Sequence, residues 1–465
     1  MRVGELRKKY PTFIYEGYSY ELKGGNLEIS FDFMLPSDIS FRAKVVIKNV
    51  SQTNINKVGD RALRNLVFHL GLAEMPSYWK VTASPKITIE TGSLNKAQIN
   101  WWHNLFMQGM GEFFYKNKIN FIKSNFLQIQ ASSYPRIRGN KETVIFSKKA
   151  KNRVLVPIGG GKDAIVTYEI LKNAKQQIKP FVLNPRKEHL AFLKTAKGRA
   201  IVAERQIDPK LLELNRKGYL NGHTPFSAYL AFLTVLCAAV FDYKYIALSN
   251  ERSSNEGNVK YLGHIINHQY SKSWEFEKKF RAYSKKYLTT NVEYFSFLRP
   301  LYELQIAKLF VNYPQYFATF LSCNEAHKTY SGTRKPTQKW CCKCSKCLFV
   351  FASLYPFLEV QNLVKIFGFN LFEDKNLIPL MEELVGQRNF KPFECVGTTK
   401  ESLTAFYLGL QKTHPPLPPL LKHFRQHIAK KHPYLQQTAK QTLEDWNKEH
   451  ALAPHLEKKL KSVLH

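Results

Sequence analysis

The chain has 465 residues, with 69 Lys and Arg against 36 Asp and Glu, a formal charge of +33. Hydrophobic residues make up 44% and charged residues 23%, which excludes wholesale disorder, collagen-like repeats and a disulfide miniprotein. The length predicts about two to four domains, and so basic a balance suits either nucleic acid or phosphorylated, carboxylated small molecules.

Residues 1–10 are polar and basic and lack the apolar h-region of a signal peptide. Residues 1–150 alternate in character, as in Leu27-Glu28-Ile29-Ser30-Phe31-Asp32-Phe33, with a turn signal at Gly24-Gly25. A strand-rich, antiparallel N-terminal domain is expected there, with a helical stretch around residues 101–115. From about residue 150 short apolar runs at 154–158, 180–183, 200–203 and 245–248 are separated by helical patterns. Such alternation describes parallel βαβ units, so residues 151–325 are expected to form a doubly wound α/β domain.

The longest apolar stretch, Phe226–Phe241, falls short of the ~20 residues of a spanning helix. It reads as a buried core helix, and no membrane span is expected. Residues 326–410 read as a cysteine-bearing helical region. Residues 411–465, entered through Pro415-Pro416-Leu417-Pro418-Pro419, read as a basic, solvated helical tail. Over residues 405–465 ten Lys and Arg face four Asp and Glu, so the charge excess lies mainly upstream. Seven cysteines, four of them within 341–347, point to a cytoplasmic protein with reduced thiols.

The run from Val154 to Ala164 places Gly159-Gly160-Gly161-Lys162-Asp163 between a strand and a helix. Glycines there let backbone approach a phosphate closely, the helix N-terminus supplies free N–H groups, and Lys162 adds charge. The run is neither a Walker loop nor GxGxxG. Ser249-Asn250-Glu251-Arg252 follows an apolar strand, and residues past the carboxyl ends of parallel strands face the ligand crevice. The alternative for this block, and for Asn255 and Glu256, is a set of helix caps. His223 follows Gly222, and His268 stands beside Gln269, Tyr270 and Lys272; both are site candidates or ordinary loop histidines. Arg299 either binds a carboxylate bidentately or pairs with Glu303. Cys395 is a candidate for exchanging a proton or a packing cysteine. Cys341, Cys344 and Cys347, with Cys323 upstream, suit tetrahedral zinc, with free core thiols as the alternative. Cys342 lies off that spacing.

The glycine run resembles the pyrophosphate loop of the PP-loop ATP pyrophosphatases, Ser-Gly-Gly-x-Asp-Ser, with Gly159 for the first serine and Ala164 for the last. The resemblance implies a PP-loop (adenine nucleotide alpha hydrolase-like) fold and the splitting of ATP into AMP and diphosphate. Gly159, Gly160, Gly161 and Lys162 would cradle the phosphates and Asp163 would help hold Mg2+. Ala164 leaves one hydroxyl ligand missing. Taken with Gly222-His223-Thr224-Pro225, residues 248–256 and 267–277, Leu298-Arg299-Pro300-Leu301, the cysteine run, and Lys391-Pro392-Phe393-Glu394-Cys395-Val396-Gly397, the chain resembles the MurL family. The match is strong over roughly residues 150–400 and loose before them, and no family motif falls after about residue 410.

That resemblance implies an isomerase of bacterial peptidoglycan synthesis. Its substrate would be UDP-MurNAc-L-Ala-L-Glu, its terminal L-glutamate inverted to D-glutamate through a carboxyl-adenylate with release of AMP and diphosphate. Ser249 and Asn250 would join the ATP site. Arg252, Asn255, Glu256, Gln269, Lys272 and Arg299 would bind the peptide substrate, and His223, Glu251, His268 and Cys395 would be catalytic. Two other classes stay open: a PP-loop tRNA-modifying enzyme, and a non-catalytic zinc-containing nucleic-acid-binding protein. ATP and a UDP-linked peptide are themselves strongly anionic, so the +33 charge does not require nucleic acid.

Overall fold

The computed structural model describes residues 2–36, 38–132, 144–327, 337, 339–388 and 390–464. The N-terminal alternation folds as expected into three antiparallel strands, β1 (Thr12–Lys23), β2 (Asn26–Leu35) and β3 (Ile39–Ile47). Every second residue of β2 is buried, the period-2 signature of a sheet with one face on a core. Two short strands, β4 (Lys86–Ile89) and β5 (Gln128–Ala131), add to β1 in parallel. The helix around residues 101–115 is two helices, Lys96–Gly109 and Gly111–Lys116.

The second half supplies β6 (Val154–Pro157), β7 (Ile178–Leu183), β8 (Ile201–Gln206), β9 (Tyr245–Leu248) and, beyond a small hairpin of β10 (Val259–Tyr261) and β11 (His264–Ile266), β12 (Glu293–Ser296). These strands do not form a separate sheet. One ten-stranded sheet runs β12-β9-β6-β7-β8-β3-β2-β1-β4-β5. The halves join where β3 pairs antiparallel with β8, from Lys44 opposite Gln206 to Ile47 opposite Ala203. Six of its nine pairings are parallel.

Two hydrophobic cores cover the two faces of the parallel segment. Leu155, Phe181, Ile246 and Tyr294 belong to one core; their chain neighbours Val156, Val182, Ala247 and Phe295 belong to the other. Successive side chains of a strand point to opposite faces, so these strands are buried on both sides and read as unbroken apolar runs. Phe226–Phe241 is a core helix, and among the described residues no helix is long and apolar enough to cross a membrane.

The tail departs from expectation. Helices make up much of residues 411–464, but Leu420, Leu421, Phe424, Ile428, Leu435, Leu456 and Leu460 are buried in the second core. An amphipathic repeat with a charged outer face looks the same in sequence whether its apolar stripe meets water or a neighbour. Ile428→Val is expected to lower stability by about 0.5–1.5 kcal/mol in urea unfolding, against no change for a solvated helix.

Candidate active site

The parallel strands run β8-β7-β6-β9-β12 across the sheet, so the chain reverses its direction of travel at β6. Ligands in open α/β sheets bind outside the carboxyl ends of the strands at such a switch point. The glycine loop follows β6, Ser249-Asn250-Glu251 follows β9, and Arg299 and Glu303 follow β12. Gly160 has φ +85°, and a Cβ there would lie 2.9 Å from Glu188 Cγ, so both backbone and space require glycine. Gly161 packs against Ser322, and Leu321 N–H donates to Gly160 O at 2.9 Å. Nothing lies within 4 Å of a Cβ on Gly159. The helix Lys162–Asn173 that follows has no side-chain cap, which leaves its first N–H groups for a ligand. Among the described residues, Ser249 Oγ and Ser322 Oγ are buried here without a hydrogen-bond partner, as are His223 Nδ1 and Gln269 Oε1 farther along the edge. Orphaned buried polar atoms of this kind mark where a ligand completes the structure.

Beside the loop, carboxylate oxygens of Asp163, Glu251 and Glu303 lie within 4.8 Å of one another. Lys162 does not extend into the open cradle. Its ammonium is buried between Asp163 and Glu303, and Lys346 Nζ reaches Glu303 at 3.1 Å. Burial alone would raise the Glu303 carboxyl, but the two lysines hold it down at about 2. Glu251, buried and next to Glu303 and Asp163, is pushed up to about 7. Lys346 sits inside the cysteine run, a place from which the sequence did not single it out.

The second cluster is built on Glu112, also absent from the sequence-based site. Gly109 and Gly111 allow its helix to pack closely: a Cβ would lie 2.8 Å from Pro225 and 3.0 Å from Ile266. Glu112 thereby reaches the two histidine loops. Its Oε2 accepts from His268 Nδ1 at 2.5 Å and lies 3.9 Å from His223 Nδ1, and the two imidazole centroids are 4.4 Å apart. On the far side Lys272 Nζ donates to Cys395 Sγ at 3.1 Å, and His268 and Cys395 lie close enough for each to shift the other's proton affinity.

The charges follow from this packing. Burial disfavours the ionised thiol, but Lys272 and His268 outweigh it and draw Cys395 down to about 5. Burial lowers His268, yet Cys395 and Glu112 raise it to about 9. Glu112 falls to about 2 against its own burial because of His268. Burial, followed by the neighbouring His268 charge, keeps His223 neutral with a value near 3. The array at neutral pH is thiolate, imidazolium and carboxylate in a row.

The remaining predicted residues divide in two. Asn250 Nδ2 donates to Ser296 Oγ at 3.1 Å on the carboxyl edge. Gln269 is buried beside His268. Arg252 stacks 4.1 Å from the Tyr302 ring and pairs with Asp445 at 2.8 Å. Asn255 accepts from Trp274 N–H at the start of the next helix, and Glu256 pairs with Lys391 at 3.0 Å and accepts from Thr399 N–H. Arg299 is 0% exposed and its partner is Glu277, at 2.9 Å, not Glu303. Its other donors go to Glu251 O, Lys272 O, Ser254 Oγ and Ser296 Oγ. The guanidinium thus fastens the backbones of Glu251 and Lys272, and no N–H is left facing solvent.

Cys323, Cys341, Cys344 and Cys347 converge with their sulfurs within 4.8 Å of one another, a quartet able to hold a structural metal ion. Cys342 turns away toward Phe367 O. The quartet borders both clusters: Cys323 follows the Leu321-Ser322 segment on the glycine loop, and Lys346 lies between Cys344 and Cys347. Lys346 N–H also donates to Glu394 Oε2 at 2.5 Å, next to Cys395.

Comparisons with known proteins agree across nearly the whole length. Family models for the MurL N-terminal domain and the MurL C-terminal domain match residues 5–297 and 319–439. A Micromonospora sp. protein is 32% identical over 87% of this chain and 88% of its own length. A Salinispora tropica protein is 31% identical over 87% and 86%, and one from Xanthomonas oryzae pv. oryzae is 33% identical over 71% of each. All three are named UDP-N-acetyl-alpha-D-muramoyl-L-alanyl-L-glutamate epimerase. With both family models matched and relatives above 30% identity along most of its length, the chain belongs to the MurL family.

Proposed function

We propose that this protein is an ATP-dependent epimerase that converts the terminal L-glutamate of UDP-MurNAc-L-Ala-L-Glu to D-glutamate in cytoplasmic peptidoglycan synthesis. The observation that carries the reading is the adjacency of two unlike clusters. A glycine cradle with three carboxylates suits a nucleotide, and a Cys395–His268–Glu112 array suits chemistry at a carbonyl and its α-carbon. Lys272 links them, lying against Cys395 and feeling the charges of Glu251 and Asp163. The parallel strand order, with the glycine loop after its central strand, supports a PP-loop fold.

The chemistry needs both clusters. Removing the α-proton beside a free carboxylate would create a second negative charge on one small fragment. Adenylylation of that carboxylate, with diphosphate leaving, makes a mixed anhydride whose acyl carbonyl carries no charge and whose α-proton is far more acidic. Gly159, Gly160 and Gly161 and the uncapped helix N-terminus bind the phosphates, with Ser249, Asn250 and Ser322 on the nucleotide. Asp163, with Glu303 at hand, would hold Mg2+, which neutralises phosphate charge. His223, Glu251, His268 and Cys395 form the set that moves protons and meets the activated carbonyl. Arg252, Asn255, Glu256, Gln269 and Lys272 line the peptide side, and Arg299 holds it in shape. Zn2+ on the four cysteines would cross-link the loops that carry Ser322 and Lys346.

Incubation with ATP, Mg2+ and UDP-MurNAc-L-Ala-L-Glu in deuterated water is expected to yield AMP, diphosphate and a D-glutamyl product labelled at the α-carbon. AMP formed only with tRNA, or no AMP at all, would sink the proposal.

A further inference from the structure

A base suffices to move an α-proton, yet the second cluster holds more than a base. Cys395 Sγ accepts from Lys272 Nζ at 3.1 Å and lies beside His268, whose Nδ1 is fixed by Glu112 at 2.5 Å. A nucleophilic sulfur held by a cationic donor, next to an imidazole that a carboxylate orients, is an arrangement suited to covalent catalysis. The groups facing Cys395 are His268 and Lys272 at the sulfur, Lys346 behind them and Glu394 beside it in the chain. His268 is paired with Glu112 and Lys346 with Glu303, which leaves the Cys395 thiolate to balance Lys272.

That balance makes a thiolate a poor neighbour for an enolate, since two negative charges would share the same cations. Acylation of the sulfur removes the first of them. His268 and Lys272 would then stand beside a neutral acyl group, placed to stabilise negative charge as it develops on the carbonyl oxygen.

We propose that Cys395 is a catalytic nucleophile that takes the activated glutamyl group as a thioester, and that epimerisation occurs on this enzyme-bound thioester. The proposal rests on the ATP-dependent reading above. In the first step the Cys395 sulfur attacks the carbonyl carbon of the glutamyl adenylate. A C–S bond forms, the C–O bond to the phosphate breaks, and AMP leaves with its electron pair. The α-proton passes to Glu251, and a proton from the His268 imidazolium adds on the opposite face. Glu251 then releases its proton to solvent and His268 regains one. Water finally adds to the thioester, the C–S bond breaks with the electrons on sulfur, and the carboxylate and the Cys395 thiolate are restored with two protons released.

The test is rapid acid quenching of the full-length protein with ATP, Mg2+ and UDP-MurNAc-L-Ala-L-Glu, followed by peptide mass mapping. The expected result is a mass gain of the substrate less one water on the peptide carrying Cys395. It should appear with AMP, require ATP and disappear on treatment with hydroxylamine. Cys395→Ala should still release diphosphate in a first turnover but lose both AMP release and deuterium uptake. AMP and D-glutamyl product accumulating with no adduct throughout the quench series would overturn the thioester alone, as would an adduct on another residue. Absence of AMP under every condition would instead overturn the ATP-dependent reading beneath it.

Discussion

Arg299→Met is expected to unfold with about 3–5 kcal/mol less stability than the parent, because it leaves the Glu277 carboxylate buried without its cation. Glu277 is 1% exposed at the side chain and accepts from the guanidinium through Oε2. The substitution also strips donors from Glu251 O and Lys272 O, whose desolvation is then uncompensated. Arg299→Lys keeps the charge but not the planar fork that reaches two loops at once, so it should recover only part of the loss. The double variant Arg299→Met/Glu277→Leu removes both charges and should recover most of it. Urea unfolding of the four proteins checks this; a single-variant loss under 1 kcal/mol would show that the pair does not hold the site.

Glu112→Gln is expected to lower kcat by about 10²–10⁴-fold, the range for disabling a positioned acid–base group. Glu112 acts through His268, so a structural defect must be separated from an electrostatic one. Without the carboxylate, His268 holds its proton less tightly and supports the thiolate less well. The midpoint for Cys395 alkylation, expected near pH 5 in the parent, should therefore move upward, which a merely loosened fold would not produce. Stability gives an independent sign. Glu112 is lowered from 4.5 to about 2, so its contribution is present above pH 4.5 and lost as pH falls toward 2. His268 is raised from 6.5 to about 9, so its contribution is present below pH 6.5 and lost as pH rises through 9. The Glu112–His268 contact enters both shifts, but Cys395 contributes to the rise of His268, and His223 and Lys116 to the fall of Glu112. The contact is therefore worth less than the roughly 3 kcal/mol that the whole shift would give at 1.36 kcal/mol per pKa unit. The stability gap between parent and Glu112→Gln should be widest between pH 4.5 and 6.5 and shrink at pH 9.5.

What could be read from sequence was local. The glycine loop shows because strand, turn and helix signals crowd into about ten residues, and three members of the cysteine quartet sit within seven positions. The polar blocks at 222–228, 248–256 and 267–277 mark the loops that carry His223, Glu251 and His268, since each interrupts apolar periodicity. Glu112 was illegible because it lies in an ordinary short helix and meets His268 only through folding; the Gly109-Met110-Gly111 break was its one trace. Lys346 was hidden inside a metal-binding spacing. Arg299 was visible as a special arginine, but the partner expected from the chain was the nearby Glu303, and only the fold brings in Glu277 from 22 residues away. The pairing of Ile47 with Ala203 carries no local signal at all.

That pairing bears on how substrate is admitted. Two-domain enzymes often close by swinging one lobe against another about a flexible connection. Here the backbone hydrogen bonds between β3 and β8 weld the two halves into one plate, and bending at that seam would break the ladder. Opening and closing must therefore come from the segments above the plate, at the ends of β6, β7, β9 and β12, while the plate itself acts as a fixed anvil beneath the chemistry.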